Sequence, residues 1–353
     1  MGHRLKWLVF LLVSGGSIAA AEDRLAVVEF FGRTTCGNCA AASETVVELQ
    51  QELAGRAVLL EYDYDNFLRG RQDRFWATGV QADYLPLIMV GSGYRTSSGV
   101  VDFDPVYRGM VEDELARPPR AEVSAYWRQV GTKLRVYVEV ENTQQEYLEV
   151  DNSASVWVIA YESPPSVESN TETYVMSTAQ WSLPYDLGPG ETITKLIDTP
   201  YMDDVQWDRM HAVVLVEDRP GCGCAEYDML QAAEAVPASL TAVPDTVTAG
   251  RSGYSNEVEL EGPYLLSWTA TSDVPWIEVS PSSGNRLTTV TMTVNEELRP
   301  SLETEGAVTF SATGDGMSFE TVVDVAVGAR FRKAGPRMSP VGTKGSARGR
   351  LPR

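Results

Sequence analysis

The sequence predicts a multidomain α/β plus all-β protein, and three observations carry that prediction. Its 353 residues exceed what one hydrophobic core organises, because domains cluster at roughly 100 to 150 residues. Strand-like and helix-like runs alternate as far as Pro118-Pro119, the pattern of βαβ units with parallel strands. Beyond Arg120 the apolar period changes to two, which marks half-buried antiparallel strands.

Residues 1–21 read as a signal peptide: Arg4 and Lys6 precede the apolar run 7–13, and Ala19-Ala20-Ala21 supplies an A-x-A cleavage site. No later apolar run approaches the roughly 18 to 20 residues of a membrane span, so the mature chain is expected to be soluble, periplasmic or secreted. Residues 25–31, Leu-Ala-Val-Val-Glu-Phe-Phe, form a buried strand holding one acid. After Cys36 and Cys39, Ala42, Val46, Leu49 and Leu53 recur at helical spacing, with Gly55 at the expected helix C-cap. A second strand at 57–64 and a polar helix from about Asn66 to Trp76 follow. Leu85-Pro86 opens a strand ending at Val90, and Gly91-Ser92-Gly93 turns the chain into another strand through Val100-Val101. A last helix from about Pro105 to Ala116 completes an α/β domain at 22–118.

In the next segment Leu134, Val136, Val138 and Val140 alternate with Arg135, Tyr137 and Glu139, and Val156, Val158 and Ala160 alternate with Trp157, Ile159 and Tyr161. These predict a β-sandwich at 119–235. Alternating runs at 290–294 and 307–310 between Gly, Pro and Ser predict a second sandwich at 236–328. The tail 329–353 is basic and has little to bury, so disorder is expected.

The formal charge is −20, and the basic tail makes the folded body more acidic still. Such a body repels nucleic acid and anionic membranes, so neither is an expected partner. Two histidines occur; His3 leaves with the signal, and His211 opens the apolar run 212–216 and reads as a strand residue. No cofactor and no metal are expected. Asp63 and Asp65 stand at a strand end, and a solvated terminus is preferred there over calcium coordination.

The chemistry concentrates in Cys36-Gly37-Asn38-Cys39. Two thiols so spaced at a helix start lie close enough for a disulfide. Helix-terminal amides and nearby Arg33 favour the Cys36 thiolate relative to a free cysteine with pKa of about 8.5. Cys36 is therefore the candidate nucleophile, and Cys39, one turn inward, would resolve the mixed disulfide.

The setting of this pair, with Glu29-Phe30-Phe31 before it, a helix after it and Leu85-Pro86-Leu87 downstream, resembles the thioredoxin superfamily. That resemblance implies a cis Pro86 beside the disulfide, helping a substrate backbone to pair there. Glu29 falls one residue further from the first cysteine than the family's proton-relaying acid. A relay to Cys39, a surface salt bridge and a plain buried acid all stay open for it. Residues 22–235 are more specifically similar to the family named for a twenty-eight-kilodalton outer-membrane protein, which implies a thioredoxin-like domain joined to an immunoglobulin-like one. The chain departs from that family at Ala40, where a proline is common, and lacks a lipid-attachment cysteine. The run 268–284, bounded by Trp268 and including Trp276, resembles the BACON domain. The fold class thus implied is a thioredoxin-like domain followed by two immunoglobulin-like β-sandwiches.

Three readings stand for Cys222 and Cys224: a static loop staple, which is preferred, an electron relay with Cys36/Cys39, and zinc. For Trp268 and Trp276 core packing is preferred over a sugar platform. The function expected is disulfide exchange with protein thiols or disulfides through Cys36 and Cys39, supported by Pro86, Glu29 and Arg33. The alternative is a non-enzymatic envelope or secreted binding protein with a structural disulfide, whose partners would be envelope proteins or glycans.

Overall fold

Residues 26–31 are apolar on both faces of their strand apart from Glu29, so that strand needs cover on both sides, and the way the cover is supplied sets the architecture. The computed structural model describes residues 23–64, 71–79, 84–220, 226–249, 255–300 and 304–327. The predicted signal peptide at 1–21, the tail at 329–353 and the Cys222/Cys224 pair lie outside the described residues.

The chain runs β1 (Ala26–Gly32), α1 (Gly37–Glu52), β2 (Ala57–Asp63), α2 (Arg71–Ala77), β3 (Leu87–Val90), β4 (Arg95–Ser98) and α3 (Phe103–Leu115). Seven further strands follow, β5 (Ala121–Val130), β6 (Lys133–Asn142), β7 (Ser155–Glu162), β8 (Tyr174–Ser182), β9 (Thr192–Asp198), β10 (Met210–Asp218) and β11 (Asp228–Pro237). β1 pairs in parallel with β2 and antiparallel with β3. The eleven strands form one hydrogen-bonded order, β4-β3-β1-β2-β8-β7-β10-β11-β5-β6-β9.

This order corrects the expected fold class of a thioredoxin-like domain followed by two immunoglobulin-like sandwiches. The chain is mostly β, and the N-terminal strands continue into the later ones through the parallel Glu61–Tyr174 pair of β2 and β8. Residues up to Ser239 fall in one compact unit, together with 262–264; the rest of the chain forms a second. The physical reason lies on the two faces of β1. One face, Ala26, Val28 and Phe30, packs on α1 and α3 through Ala42, Val46, Leu49 and Val111. The other, Val27 and Phe31, is covered chiefly by strand residues, with Trp157, Ile159, Val213 and Leu215 in the same core. Strand periodicity reports that a face is buried, but not which distant segment buries it.

α1 forms because Cys39, Ala42, Val46 and Leu49 recur at i, i+3, i+7 and i+10 and are all buried. It stops at the Leu53 cap, and Gly55 follows at φ 77°, a conformation that glycine adopts without a Cβ clash. α2 lies within the helix expected from about Asn66 to Trp76, of which 66–70 is not described. Among the described residues no helix is long and apolar enough to cross a membrane.

The second unit contains β12 (Thr241–Val243), β13 (Thr246–Ala249), β14 (Ser255–Glu261), β15 (Ser267–Ser272), β16 (Ile277–Ser280), β17 (Ser283–Gly284), β18 (Thr289–Val294), β19 (Glu305–Gly314) and β20 (Met317–Val327). They form a four-stranded sheet, β12-β14-β18-β16, and a five-stranded one, β13-β20-β19-β15-β17. Alternation in β18 and β19 buries Val290, Met292, Val294, Val308, Phe310 and Ala312.

Candidate functional site

β1 ends at Gly32, and four residues later the chain enters α1 with Cys36 as its N-cap. The helix is held there by its own start: Cys39 and Ala40 N–H groups donate to the Cys36 carbonyl at 3.0 and 3.2 Å, and Cys36 N–H donates to the Arg33 carbonyl at 3.1 Å. The Cys39 N–H also donates to Cys36 Sγ at 3.1 Å. Cys36 and Cys39 form a disulfide with their Cα atoms 5.2 Å apart. Their surroundings differ. Cys36 is half-buried, whereas Cys39 is 0% exposed in the core with Val28 and Phe30. No acid occupies the first turn of α1, so nothing on that turn offsets the positive end of the helix dipole.

Pro86 is buried and its bond to Leu85 is cis. β1 and β3 pair Phe31 with Leu87, so one step further along this register Pro86 comes opposite Gly32, at the strand end from which the cysteine loop leaves. Leu85 and Cys36 pack against the same core cluster.

Glu29 is not part of this site. Because side chains alternate along a strand, Glu29 points to the face opposite Val28, Phe30 and Cys39. There it is 0% exposed and accepts from Tyr62 Oη at 2.9 Å and from Arg71 at 2.9 and 2.5 Å. The proton relay to Cys39 is thereby excluded, and the acid belongs to a buried ion cluster. Arg71 also donates to Glu217 at 2.7 Å, and Arg74 and Trp157 donate to Glu217 at 2.8 Å. Burial opposes charge on Arg71, but Glu29 and Glu217 outweigh it and hold its pKa well above the ordinary value. Burial likewise opposes charge on Glu217, yet Arg71 and Arg74 hold its carboxyl below the usual range. Burial, reinforced by Glu29, pushes the Tyr62 phenol well up. The cluster fixes α2 to β1 and β10. Sequence reasoning missed it because its carboxylates are provided by strands 188 positions apart, as the residue numbers 29 and 217 give.

Arg33 stacks over the Tyr64 ring at 4.8 Å. It also lines a cavity of about 310 Å³ beside the cysteine loop. One wall is the 32–35 segment, the floor includes Glu61 and Asp63, and Val167, Glu168 and Tyr174 close the far side. Val167 and Glu168 belong to the connection between β7 and β8, which is fastened through Glu61, and Tyr174 opens β8. The Glu61 carboxylate, 2% exposed, accepts from Ser169 Oγ at 2.5 Å, from the Asn170 and Thr171 N–H groups at 2.7 and 2.8 Å, and from Asn170 Nδ2 at 2.5 Å. The sequence offered no signal for this fastening.

The remaining candidates stand elsewhere. Trp268 and Trp276 are 2% and 0% exposed, so neither offers a ring face to a sugar, and Trp268 Nε1 donates to the Arg286 carbonyl at 2.8 Å. His211 lies on β10 and stacks on Tyr161, ring centroids 5.4 Å apart.

No family model and no curated protein matches the chain. Among solved structures it is similar to a structural-genomics target from Agrobacterium tumefaciens, at 18% identity over 61% of this chain and 96% of that one, with a TM-score of 0.38. It is also similar to a Bacteroides ovatus GH5 xyloglucanase, at 17% identity over 26% of this chain and 19% of that one, TM-score 0.21. A third likeness is to a red sea bream transglutaminase, at 15% identity over 69% and 38% of the two chains, TM-score 0.21. Likenesses this distant carry no functional argument.

Proposed function

We propose that the chain is an exported thiol–disulfide oxidoreductase that exchanges disulfides with protein substrates through Cys36 and Cys39. The observation carrying this reading is the asymmetry of the pair: Cys36 is half open at the N-terminus of a sixteen-residue helix with a backbone N–H aimed at its sulfur, and Cys39 is buried behind it. Helix-terminal amides favour a thiolate, and an accessible thiolate is the attacking species in exchange. The likeness of this CxxC to those of the thioredoxin superfamily supports the chemistry.

In the reducing direction the Cys36 thiolate attacks one sulfur of a substrate disulfide. The substrate S–S bond breaks, a mixed disulfide forms and the first substrate sulfur leaves as thiolate. Cys39 then gives up its proton to solvent or to that departing thiolate and attacks Cys36 Sγ, releasing the second substrate thiol. Two electrons pass from the protein pair to the substrate, and a dithiol reductant must restore the pair. Run backwards, the same steps oxidise a substrate dithiol and need a disulfide oxidant. Glu29 has no part in either direction. The signal-like reading of residues 1–21 supports a periplasmic or extracellular setting, where disulfides persist.

The test is turnover of a model disulfide by wild-type protein and by the Cys36→Ser and Cys39→Ser variants. Wild-type turnover is expected, with Cys36→Ser inactive and Cys39→Ser trapped as a mixed disulfide. Wild-type turnover no higher than that of Cys36→Ser would overturn the reading and leave the disulfide a structural one.

A further inference from the structure

The cavity beside the cysteine loop has a composition that a purely structural cleft does not need. We propose that it holds the stretch of a polypeptide substrate next to the reacting cysteine, and that it selects stretches bearing a basic side chain, with Glu168 as the specificity-determining residue. The inference rests on the exchange reaction at Cys36.

Position is the first support. Thr34 and Thr35 line the cavity, and Thr35 directly precedes Cys36. An extended polypeptide advances about 3.3 Å per residue, so a substrate with its sulfur at Cys36 can lay residues one or two places away along this wall.

The far wall is already built. Glu61 takes the Ser169 hydroxyl, two backbone N–H groups and the Asn170 amide, so residues 169–171, directly after Val167 and Glu168, do not have to be ordered when substrate arrives, and that entropy cost is removed in advance. These donors also absorb the Glu61 charge, which makes that carboxylate a clamp.

Charge and shape then name the occupant. With Glu61 spent on those donors, the lining offers the carboxylates of Asp63 and Glu168 against the guanidinium of Arg33, which is stacked over Tyr64. Glu168 is exposed at the rim. Beside it Val167 is 43% exposed, an apolar surface next to a carboxylate. Lysine and arginine match that pair, with an aliphatic stem for the valine and a charged head for the glutamate. An excess of acidic over basic groups around a cleft also draws in the opposite sign.

The test separates binding from chemistry. Two labelled peptides, each with serine in place of the reacting cysteine and flanked by lysine in one and glutamate in the other, are titrated against full-length Cys36→Ser protein. The lysine peptide is expected to bind about fivefold tighter at low salt, the size of one partly exposed charge pair, and the preference should shrink at high salt. Glu168→Lys should abolish or invert it, which a general attraction to the acidic body would not do, and circular dichroism verifies that this exposed substitution leaves the fold intact. Equal affinities, no binding of either peptide, or a preference untouched by Glu168→Lys would overturn the inference. Turnover of a small uncharged disulfide by wild-type protein reports on the exchange reaction alone, so failure of the groove and failure of the chemistry give different results.

Discussion

At the scale of single residues, burial decides which charges are costly and which are held. Asp218 ends β10 only 8% exposed, and its Oδ1 has no hydrogen-bond partner among the described residues. Burial pushes its carboxyl up to about 6, against Arg120, which pulls it down. A folded pKa above the unfolded 3.8 means that the folded state binds this proton more tightly. Its contribution to stability is therefore fully present below the unfolded value and is lost as pH rises through about 6. Asp218→Asn should leave the melting temperature nearly unchanged near about pH 4 and raise it near about pH 8. Thermal melts at the two pH values check this, and the same shift at both would contradict it. Glu217 next to it has the opposite sign: held low by Arg71 and Arg74, it stabilises above the ordinary carboxylate range and loses that contribution as pH falls through its depressed folded value.

At the scale of elements, residues 169–171 of the connection between β7 and β8 are fastened by one carboxylate from β2. Glu61→Gln keeps the shape but replaces an ionised acceptor of four hydrogen bonds with a neutral amide. The Asn170 and Thr171 amides, which donate to Glu61, should then exchange with solvent about tenfold faster, as expected for the loss of roughly 1 to 2 kcal/mol of charge-assisted bonding. Hydrogen exchange by NMR measures this, and unchanged protection would show that the segment is held by other means. Much at this scale was legible in the sequence. The α1 stripe, the alternation of β6 and the acid inside β1 could be read from spacing, because burial of one face leaves a period in the chain, whereas β7, expected half-buried, is buried on both faces. The partners could not. Nothing in residues 57–64 says that Glu61 will meet residues 169–171, and the pleat puts Glu29 and Val28 on opposite faces without saying which face α1 will cover. For that reason the cysteine pair was found from sequence, whereas the role of Glu29 stayed open between a relay, a surface salt bridge and a buried acid until its face was known.

At the scale of the whole molecule, the expected boundary at residue 118 falls inside one compact unit. A fragment spanning 22–118 keeps Glu29, Arg71 and Arg74 but loses Glu217, leaving two guanidiniums against one carboxylate in the cluster. It also strips Trp157, Ile159, Val213 and Leu215 from the second face of β1, and the Met229 and Leu230 carbonyls from Arg24. Returning that apolar face to water costs roughly 25 cal/mol per Å², a large share of a domain's marginal stability. The 22–118 fragment should be unfolded by circular dichroism, whereas 22–239 should melt in one cooperative transition. A cooperatively folded 22–118 fragment would restore the boundary. Within this larger unit the cysteine loop carries the proposed exchange chemistry, and the most direct test of it is competitive alkylation of the fully reduced protein followed by mass spectrometry across pH. Cys36 should be labelled far faster than Cys39, with a reactivity that titrates below the free-thiol pKa of about 8.5. Equal and slow labelling of both cysteines would contradict the proposal that Cys36 is the nucleophile.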